Sequence, residues 1–120
     1  MTSPDSQSLA ARKCLPCEGG LAKYDLDQAQ QRLALVDGWR LTHGGDRIRK
    51  DWKMQDFRAG MEFLNHVAEL AESEGHHPDL HLEGYRRVWI ELTTHAIGGL
   101  SENDFILAAK IDRLPARAKK

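Results

Sequence analysis

The amino-acid sequence predicts an α+β fold: one four-stranded antiparallel sheet with three helices packed on one face, in the order α-β-β-α-β-β-α. Three observations support this prediction. Two pairs of short segments alternate apolar and polar residues, as half-buried strands do. Three longer segments repeat apolar residues every three or four positions, as helices do. Helices that flank and separate the strand pairs are typical of a sheet covered on one side.

The first half of the chain contains one predicted helix and one predicted hairpin. The helix begins after Asp25, and its apolar residues recur at three- and four-residue steps until Asp37-Gly38 ends it. These apolar residues are Leu26, Ala29, Leu33 and Val36. The segments WRLTH and RIRKDWK alternate in polarity on either side of a GGD turn, which predicts two antiparallel strands.

The second predicted helix runs from an N-cap at Asp56 to a C-cap at Gly75, and Pro78 prevents the chain from continuing it. Its predicted buried stripe consists of Phe57, Met61, Leu64, Val67 or Ala68, and Ala71. The pair His76-His77 is therefore predicted to lie in the turn just beyond a long helix.

Two strands and a third helix account for the rest of the domain. LHLEGY predicts a short strand and RVWIELTTH a longer one. One face of the longer strand carries Val88, Ile90, Leu92 and Thr94, and the other carries Trp89, Glu91, Thr93 and His95. Gly98-Gly99 ends this strand, and SENDFILAAKIDRL predicts a helix that ends at Pro115. Ser101 and Asp104 match the capping-box pattern at its start.

Length and composition limit the class of protein. The 120 residues are 41% apolar and carry a formal net charge of −1, which predicts one globular domain without the basic stripe of a nucleic-acid-binding protein. No apolar run approaches the ~20 residues of a membrane span, and the N-terminus lacks an apolar signal segment, so we expect a cytoplasmic protein with no membrane partner. We expect a flexible arm at 1–24, a domain at 25–115 and a basic tail at 116–120.

Two further features bear on partners. An uncovered sheet face with edge strands invites self-association, so we expect an oligomer. Cys14 and Cys17 form an isolated C-x-x-C in the predicted arm. A zinc site needs two more ligands, and a redox site of the thioredoxin kind needs a strand before the motif. We therefore interpret the two cysteines as reduced thiols in a loop.

Titratable residues from three elements are candidates for a site. His76 and His77 follow the second helix, His95 ends the last strand, and Asp104 lies in the first turn of the third helix. Glu72 lies one helical turn before His76, close enough to orient an imidazole. Such a set suits acid/base chemistry, in which each well-placed group contributes ~10²–10⁴ in rate. Two simpler interpretations remain open: Asp104 as only a capping partner, and His95 as a hydrogen-bonded surface residue.

A metal site is the alternative. His77 and His81 have the spacing that places two imidazoles on one helix face, and Glu72 or Asp104 could add a carboxylate. Pro78 lies between the two histidines and breaks the helix, so the spacing loses its geometric meaning. We therefore expect no metal.

Seven residues follow one another at fixed spacing: Glu72, three residues, His76-His77-Pro78, six residues, Tyr85, nine residues, His95, eight residues, Asp104. This spacing resembles the signature of the pterin-4a-carbinolamine dehydratases, also called 4a-hydroxytetrahydrobiopterin dehydratases. The resemblance covers about residues 25–115. The segment TTHAIGGLSENDFILAAKID and the cysteine-containing head also resemble bacterial members. The loop Asp79–Gly84 departs from the pattern, being one residue longer than in the animal enzymes.

The resemblance implies a four-stranded sheet backed by three helices, dimers that join sheets edge to edge, and often tetramers formed through helices. It implies a reaction that removes water from a 4a-hydroxytetrahydropterin to give the quinonoid dihydropterin. No metal and no bound cofactor are implied, because the pterin is the substrate.

The resemblance also implies roles for single residues. His76 and His95 would be the acid/base pair, with His77 holding the pterin and assisting. The supporting residues would be Glu72 and Asp104 as orienting carboxylates, Pro78 as the residue that fixes the turn, and Thr93, Thr94 and Tyr85 as substrate contacts.

Some members of this family are transcriptional coactivators, and others resemble assembly factors for RuBisCO. A dehydratase-like binding protein is therefore the alternative function, with the loop Leu80–Gly84 and the arm as candidate partner-binding segments.

Overall fold

The structure is a computed structural model that describes residues 6–14 and 22–118. The helices are α1 (Ser6–Ala10), α2 (Leu26–Leu33), α3 (Phe57–Glu74) and α4 (Glu102–Ile111). The strands are β1 (Arg40–Thr42), β2 (Arg47–Lys53), β3 (Asp79–Glu83) and β4 (Arg87–Leu92), which form one antiparallel sheet in the order β1-β2-β4-β3. The predicted α+β class and element order are confirmed, with the short α1 as an addition. None of the helices in the described ranges is long and apolar enough to cross a membrane.

The central strand β4 divides the sheet into a covered face and an open face. Val88, Ile90 and Leu92 are fully buried against the helices, as their alternation predicts. Trp89 lies between Asp51 of β2 and His81 of β3 on the open face. The strand ends at Leu92, so His95 lies beyond it in a short 3₁₀ turn (His95–Ile97) and not at the strand terminus that the sequence predicts.

Helix α3 has the predicted ends but a different buried face. The Asp56 side chain accepts a hydrogen bond from the Ala59 N–H, and Gly75 closes the helix with a φ of +66°. The predicted stripe is wrong at Phe57 and Met61, which are 54% and 41% exposed. The buried residues are Ala59, Gly60, Phe63, Val67 and Ala71.

The small residue Gly60 explains this rotation of the helix. A side-chain carbon at Gly60 would lie 3.3 Å from the Leu82 side chain, so the helix approaches the sheet closely at this point. Phe63, one turn later, then packs on Trp52 with ring centroids 4.9 Å apart. Close backbone approach and one well-packed aromatic ring thus outweigh the burial of Phe57 and Met61.

Helix α4 is buried on all sides from Asn103 to Ala109, because α1 and α3 both contact it. Leu9 of α1 is only 1% exposed, and the Cys14 N–H donates a hydrogen bond to the carboxylate of Glu74. Part of the predicted arm therefore packs on the domain. In the predicted tail, the Gln55 N–H bonds to the Arg117 carbonyl. The division at residues 24 and 115 stays a prediction, and Cys17 lies outside the described residues.

Glu74 joins the N-terminal segment to α4. Its side chain is 6% exposed, and the same oxygen accepts from the Cys14 N–H and from Lys110 Nζ, at 3.0 Å each. Burial alone would raise the pKa of the Glu74 carboxyl, but these hydrogen bonds and the charge of Lys110 hold it below the ordinary value. Burial, with the charge of Glu74, raises the pKa of the Cys14 thiol to about 12, so this cysteine stays protonated at neutral pH.

We predict that Glu74→Gln lowers the free energy of unfolding by about 1–3 kcal/mol at pH 7, since charged hydrogen bonds to buried groups are lost. The folded-state pKa is lowered, so the stabilisation is fully present above the ordinary glutamate value of about 4.3 and disappears as the pH falls through the folded-state pKa. Urea denaturation of both proteins from pH 7 to pH 3 measures this difference. The exposed Glu69 provides a matched control: Glu69→Gln should change stability by less than about 0.5 kcal/mol. A difference between wild type and Glu74→Gln that does not depend on pH would contradict the assignment.

Candidate active site

The end of α3 turns His76 into the protein. Gly75 adopts the left-handed conformation, and the His76 N–H then bonds back to the Ala71 carbonyl at 3.3 Å. The His76 side chain is 4% exposed, and its Nε2 lies 2.7 Å from Oδ1 of Asp104. Because a carboxylate only accepts hydrogen bonds, an ionised Asp104 places the ring proton of His76 on Nε2.

Asp104 is fully buried and uses both carboxylate oxygens. Oδ2 accepts from the Thr94 hydroxyl and from the Ser101 N–H, at 2.9 Å each, while Oδ1 faces His76. The Thr94 and Ser101 hydroxyl oxygens also lie 2.8 Å apart. The capping role and the histidine-orienting role are therefore not alternatives, because each oxygen serves one of them.

His95 reaches the same region from the other direction. After β4 ends, Thr93 and Thr94 continue the extended chain, and His95 begins the 3₁₀ turn that Gly98 closes with a φ of +69°. The Thr94 N–H bonds to the Gly99 carbonyl at 2.9 Å, so the turn folds back on itself. This return fixes the exposed imidazole of His95 relative to the buried Asp104 network.

The three predicted histidines surround one open cavity of about 200 Å³. Its lining consists of Gly75, His76, His77, Thr93, His95 and Ala96. Two of its walls come from the turn after α3 and from the turn after β4. Chain segments that are 18 residues apart in sequence, Gly75–His77 and Thr93–His95, thus bring three imidazoles to one opening.

Three other predicted site residues do not line this cavity: Tyr85, Glu72 and Thr94. Tyr85 is 57% exposed in the turn between β3 and β4, a full strand length from His77, so within one chain it does not line the cavity. Glu72 is exposed, and its carboxylate lies 3.5 Å from Nε2 of His77, so it faces His77 and not His76. Thr94 points to the buried Asp104, whereas Thr93 lines the cavity.

The alternative of a metal site receives no support from the geometry. Pro78 follows the end of α3, and His81 lies on β3, where its ring stacks on Trp89 with centroids 4.7 Å apart. His77 and His81 therefore do not share a helix face. Within residues 6–14 and 22–118, no group of three or more histidine, cysteine or carboxylate side chains is placed to hold a metal ion.

A second cavity, of about 230 Å³, adjoins the first and was not expected from the sequence. It shares Thr93 and His95 with the first cavity and is otherwise lined by His43, Asp46, Arg47 and Gly98. One signal in the sequence points to it: His43 precedes two glycines in a tight hairpin turn, where a residue with a large side chain is unusual.

The fold and this arrangement define a class: a small α+β protein with an open cavity lined by three histidines, one of which is oriented by a buried carboxylate. Comparison with known proteins identifies the family. The family model described as pterin 4 alpha carbinolamine dehydratase matches residues 22–114, and the chain belongs to this family of hydro-lyases.

Individual relatives agree with this assignment. The chain is 50% identical over 109 residues to pterin-4-alpha-carbinolamine dehydratase 2, mitochondrial, of Arabidopsis thaliana, covering 88% of this chain and 58% of that protein. A Methylococcus capsulatus protein named for the same dehydratase is 42% identical over 115 residues, with 95% and 99% of the two chains covered. The chain thus spans little more than half of the plant relative and nearly all of the bacterial one.

Two solved structures are similar. The transcriptional coactivator/pterin dehydratase of Brucella melitensis superposes with a TM-score of 0.70 at 30% identity, covering 76% of this chain and 96% of that one. A pterin dehydratase-like protein identified as a RuBisCO assembly factor in the alpha-carboxysome gives a TM-score of 0.53 at 26% identity, covering 62% and 86%.

We predict that the neutral form of His76 carries its proton on Nε2, which long-range ¹H–¹⁵N NMR of the imidazole measures directly. In Asp104→Asn the ring should lose this preference, because an amide can donate as well as accept. The variant should also unfold about 1–3 kcal/mol more easily, since buried partners lose a charged acceptor. Glu72→Gln is the matched control, because it alters the exposed pair with His77 and should leave the His76 resonances in place. An Nδ1-protonated His76 in wild type would contradict this assignment.

Proposed function

We propose that this protein dehydrates a 4a-hydroxytetrahydropterin to the quinonoid dihydropterin and water by histidine acid/base catalysis. The observation that carries the proposal is the cavity on which His76, His77 and His95 converge, with His76 held by the buried Asp104. Membership of the dehydratase family supports the substrate class.

The reaction needs two proton movements, for which the cavity offers separate imidazoles. The C4a–OH bond breaks when its oxygen receives a proton and leaves as water. The proton on N5 passes to a base, and the electrons of the N5–H bond form the new C=N bond. One proton is given and one is taken, so the total number of protons on the protein is unchanged, and a proton must pass from the base back to the acid before the next cycle. Elimination of this kind requires no redox step, and we propose that it requires no metal and no cofactor.

His76 and His95 are the proposed acid/base pair. His76 lines the cavity with its Nε2 turned toward Asp104. His95 lines the same cavity from an exposed turn. His77, 61% exposed at the side chain and 3.5 Å from Glu72, would hold the pterin. Thr93 offers a further contact in the cavity wall.

We predict that His76→Ala and His95→Ala each lower kcat/KM for a 4a-carbinolamine by about 10²-fold or more, the usual contribution of a positioned acid or base. The carbinolamine is generated in situ, and its decay is followed by ultraviolet absorbance against the spontaneous rate. His66→Ala is the matched control, because His66 is exposed on α3 and does not line either cavity. Decay no faster with wild type than with buffer would rule out the dehydratase activity.

The second candidate function is binding to another protein. The observation that favours it is the likeness to a solved RuBisCO assembly factor, together with an open sheet face that carries a wide depression of about 610 Å³. Arg49 and Trp89 line this depression, with the guanidinium 4.6 Å from the Trp89 ring centre. Among the described residues, the lining of this depression shares no member with the cavity of His76, His77 and His95, so a partner could occupy it without entering that cavity. Activity that survives Trp89→Ala while partner binding is lost would separate the two functions.

Self-association is a further proposal. Strands β1 and β3 lie at the sheet edges, and Leu80 on β3 is 37% exposed, so the β3 edge offers both unpaired backbone groups and apolar surface. We expect a dimer formed by pairing of β3 edges, or a tetramer of such dimers. Size-exclusion chromatography with light scattering measures the mass, and a monomer at micromolar concentration would contradict the proposal.

We also propose a cytoplasmic location, although the Arabidopsis relative is named as mitochondrial.

A further inference from the structure

Two like charges lie side by side on the open face of the sheet. Lys53 at the end of β2 is directly opposite Arg87 at the start of β4, and both side chains are exposed. Like charges at directly opposite positions of an antiparallel pair destabilise a sheet. Glu83 of β3 is opposite Arg87 on its other side, but one carboxylate offsets only one of the two positive charges. A partner that carries negative charge would remove the remaining repulsion.

Two neighbouring cations on this face already have a carboxylate partner. Arg49 donates from Nε and Nη2 to the two oxygens of Asp51 at 2.9 Å each, and Arg40 lies 3.2 Å from the same carboxylate. Lys53 and Arg87, by contrast, form no ion pair with any residue in the described ranges. Their charges are therefore available to a ligand.

The two cations lie in a continuous groove. Lys53, Arg87 and Glu83 line both the wide depression of about 610 Å³ and a neighbouring one of about 450 Å³. We call the combined surface the sheet groove; it extends from Trp89 on β4 to Tyr85 in the turn between β3 and β4. Its charged lining residues are Arg49, Lys53, Arg86 and Arg87, with Asp51 and Glu83 as the carboxylates. The sheet groove is thus a positive region on a chain whose formal net charge is −1.

The turn at one end of the sheet groove is ordered before any partner binds. Tyr85 has a φ of +56°, in the left-handed region that residues other than glycine rarely adopt. Arg86 donates to the carbonyls of Met54 and Gln55, at 2.9 Å and 3.1 Å, and to the Tyr85 hydroxyl at 3.2 Å. These contacts fasten the turn to the chain after β2. An exposed ring that is already ordered loses little conformational freedom on binding.

The other end of the sheet groove presents a second ordered ring. The Trp89 ring stacks on His81 with centroids 4.7 Å apart, and the Arg49 guanidinium lies 4.6 Å from its centre. Tryptophan, tyrosine and arginine are the residues that most often dominate binding energy at protein interfaces. Two ordered aromatic rings together with several cations are therefore typical of a protein-binding surface.

Shape and charge distinguish the classes of partner. A small molecule is usually enclosed over most of its surface, whereas the sheet groove is open. A nucleic acid needs many phosphate contacts, and the carboxylates of Asp51 and Glu83 would repel its backbone. An extended peptide fits better, because the distance along β4 from the turn to Trp89 is about 13 Å, the length of about four extended residues.

We propose that the sheet groove binds an extended, acidic segment of a partner protein, with the partner's carboxylates over Lys53 and Arg87 and its apolar side chains against Trp89 and Tyr85. This inference rests on the second candidate function, binding to another protein, and names the chemistry of that partner. Among the described residues, the sheet groove and the cavity of His76, His77 and His95 share no lining residue.

The test uses synthetic peptides of about eight residues that alternate leucine with glutamate, serine or lysine, a spacing that places like side chains on one face of an extended chain. Wild type should bind the glutamate peptide about three- to tenfold more tightly than the serine peptide, the effect of two exposed ion pairs, and added salt should reduce the difference. NMR titration measures the affinities, and the amide signals of Lys53, Arg87 and Trp89 should shift.

Variants separate charge recognition from folding. Lys53→Ala and Arg87→Ala should each weaken binding of the glutamate peptide by about twofold or more. The double variant Lys53→Glu/Arg87→Glu should prefer the lysine peptide, a reversal that a damaged fold cannot produce. Arg58→Ala is the matched control, because Arg58 is an exposed cation on α3 outside the groove lining and should leave the preference unchanged.

Each outcome decides the inference. Equal affinity for the three peptides, no binding of any of them, or shifts confined to other surfaces would overturn it and leave the dehydratase proposal standing. Tighter binding of a single-stranded oligonucleotide than of the glutamate peptide would assign the sheet groove to nucleic acid and also overturn it. Wild type saturated with the glutamate peptide should dehydrate a carbinolamine at its usual rate, and slower dehydration would place the peptide in the histidine cavity instead. If wild type has no dehydratase activity, the titration and the charge reversal still decide the inference by themselves.

Discussion

The buried carboxylate of Asp104 is the interaction on which this structure depends. It lies at the start of α4 and accepts from His76 after α3 and from Thr94 after β4, so three elements meet at one charged group. A carboxylate that is completely removed from water is tolerated only when its oxygens are satisfied. The contact therefore holds the end of α3 and the segment after β4 together, and the cavity lies between those two turns.

The same network explains why stability and the proposed chemistry are inseparable here. Oδ2 of Asp104 accepts a hydrogen bond from the Ser101 N–H and so completes the capping box of α4, while Oδ1 holds the His76 ring. Replacement of Asp104 removes a helix cap and an imidazole partner together, and members of such a network affect one another through polarisation. A loss of activity alone therefore does not separate the two effects, whereas the position of the His76 ring proton does.

Local signals in the sequence predicted both ends of α3 and the start of α4, and long-range packing decided what they could not. Asp56, Gly75 and the Ser101–Asp104 pair act within four residues, so their effects can be read directly from the chain. The buried face of α3 depends instead on how closely Gly60 approaches Leu82, a residue of a later strand. Tyr85 was predicted as a site residue from the spacing of the motif. Spacing gives the number of residues between two positions but not where the side chains lie, and the β3–β4 hairpin places Tyr85 away from the cavity. The second cavity depends on the left-handed conformation of His43, for which the two glycines were only an indirect signal.

The two neighbouring histidines differ in the physical strength of their carboxylate partners. His76 and Asp104 are 4% and 0% exposed at the side chain, so little water screens their attraction and the ring is held before any ligand arrives. His77 and Glu72 are 61% and 79% exposed and 3.5 Å apart, a geometry that contributes no more than about 0.2–1 kcal/mol. Adjacent positions in one turn thus combine a fixed imidazole with an adjustable one. The proposed reaction, which exchanges a proton and admits a bulky ring, would use both, and the difference between the two histidines follows from burial alone.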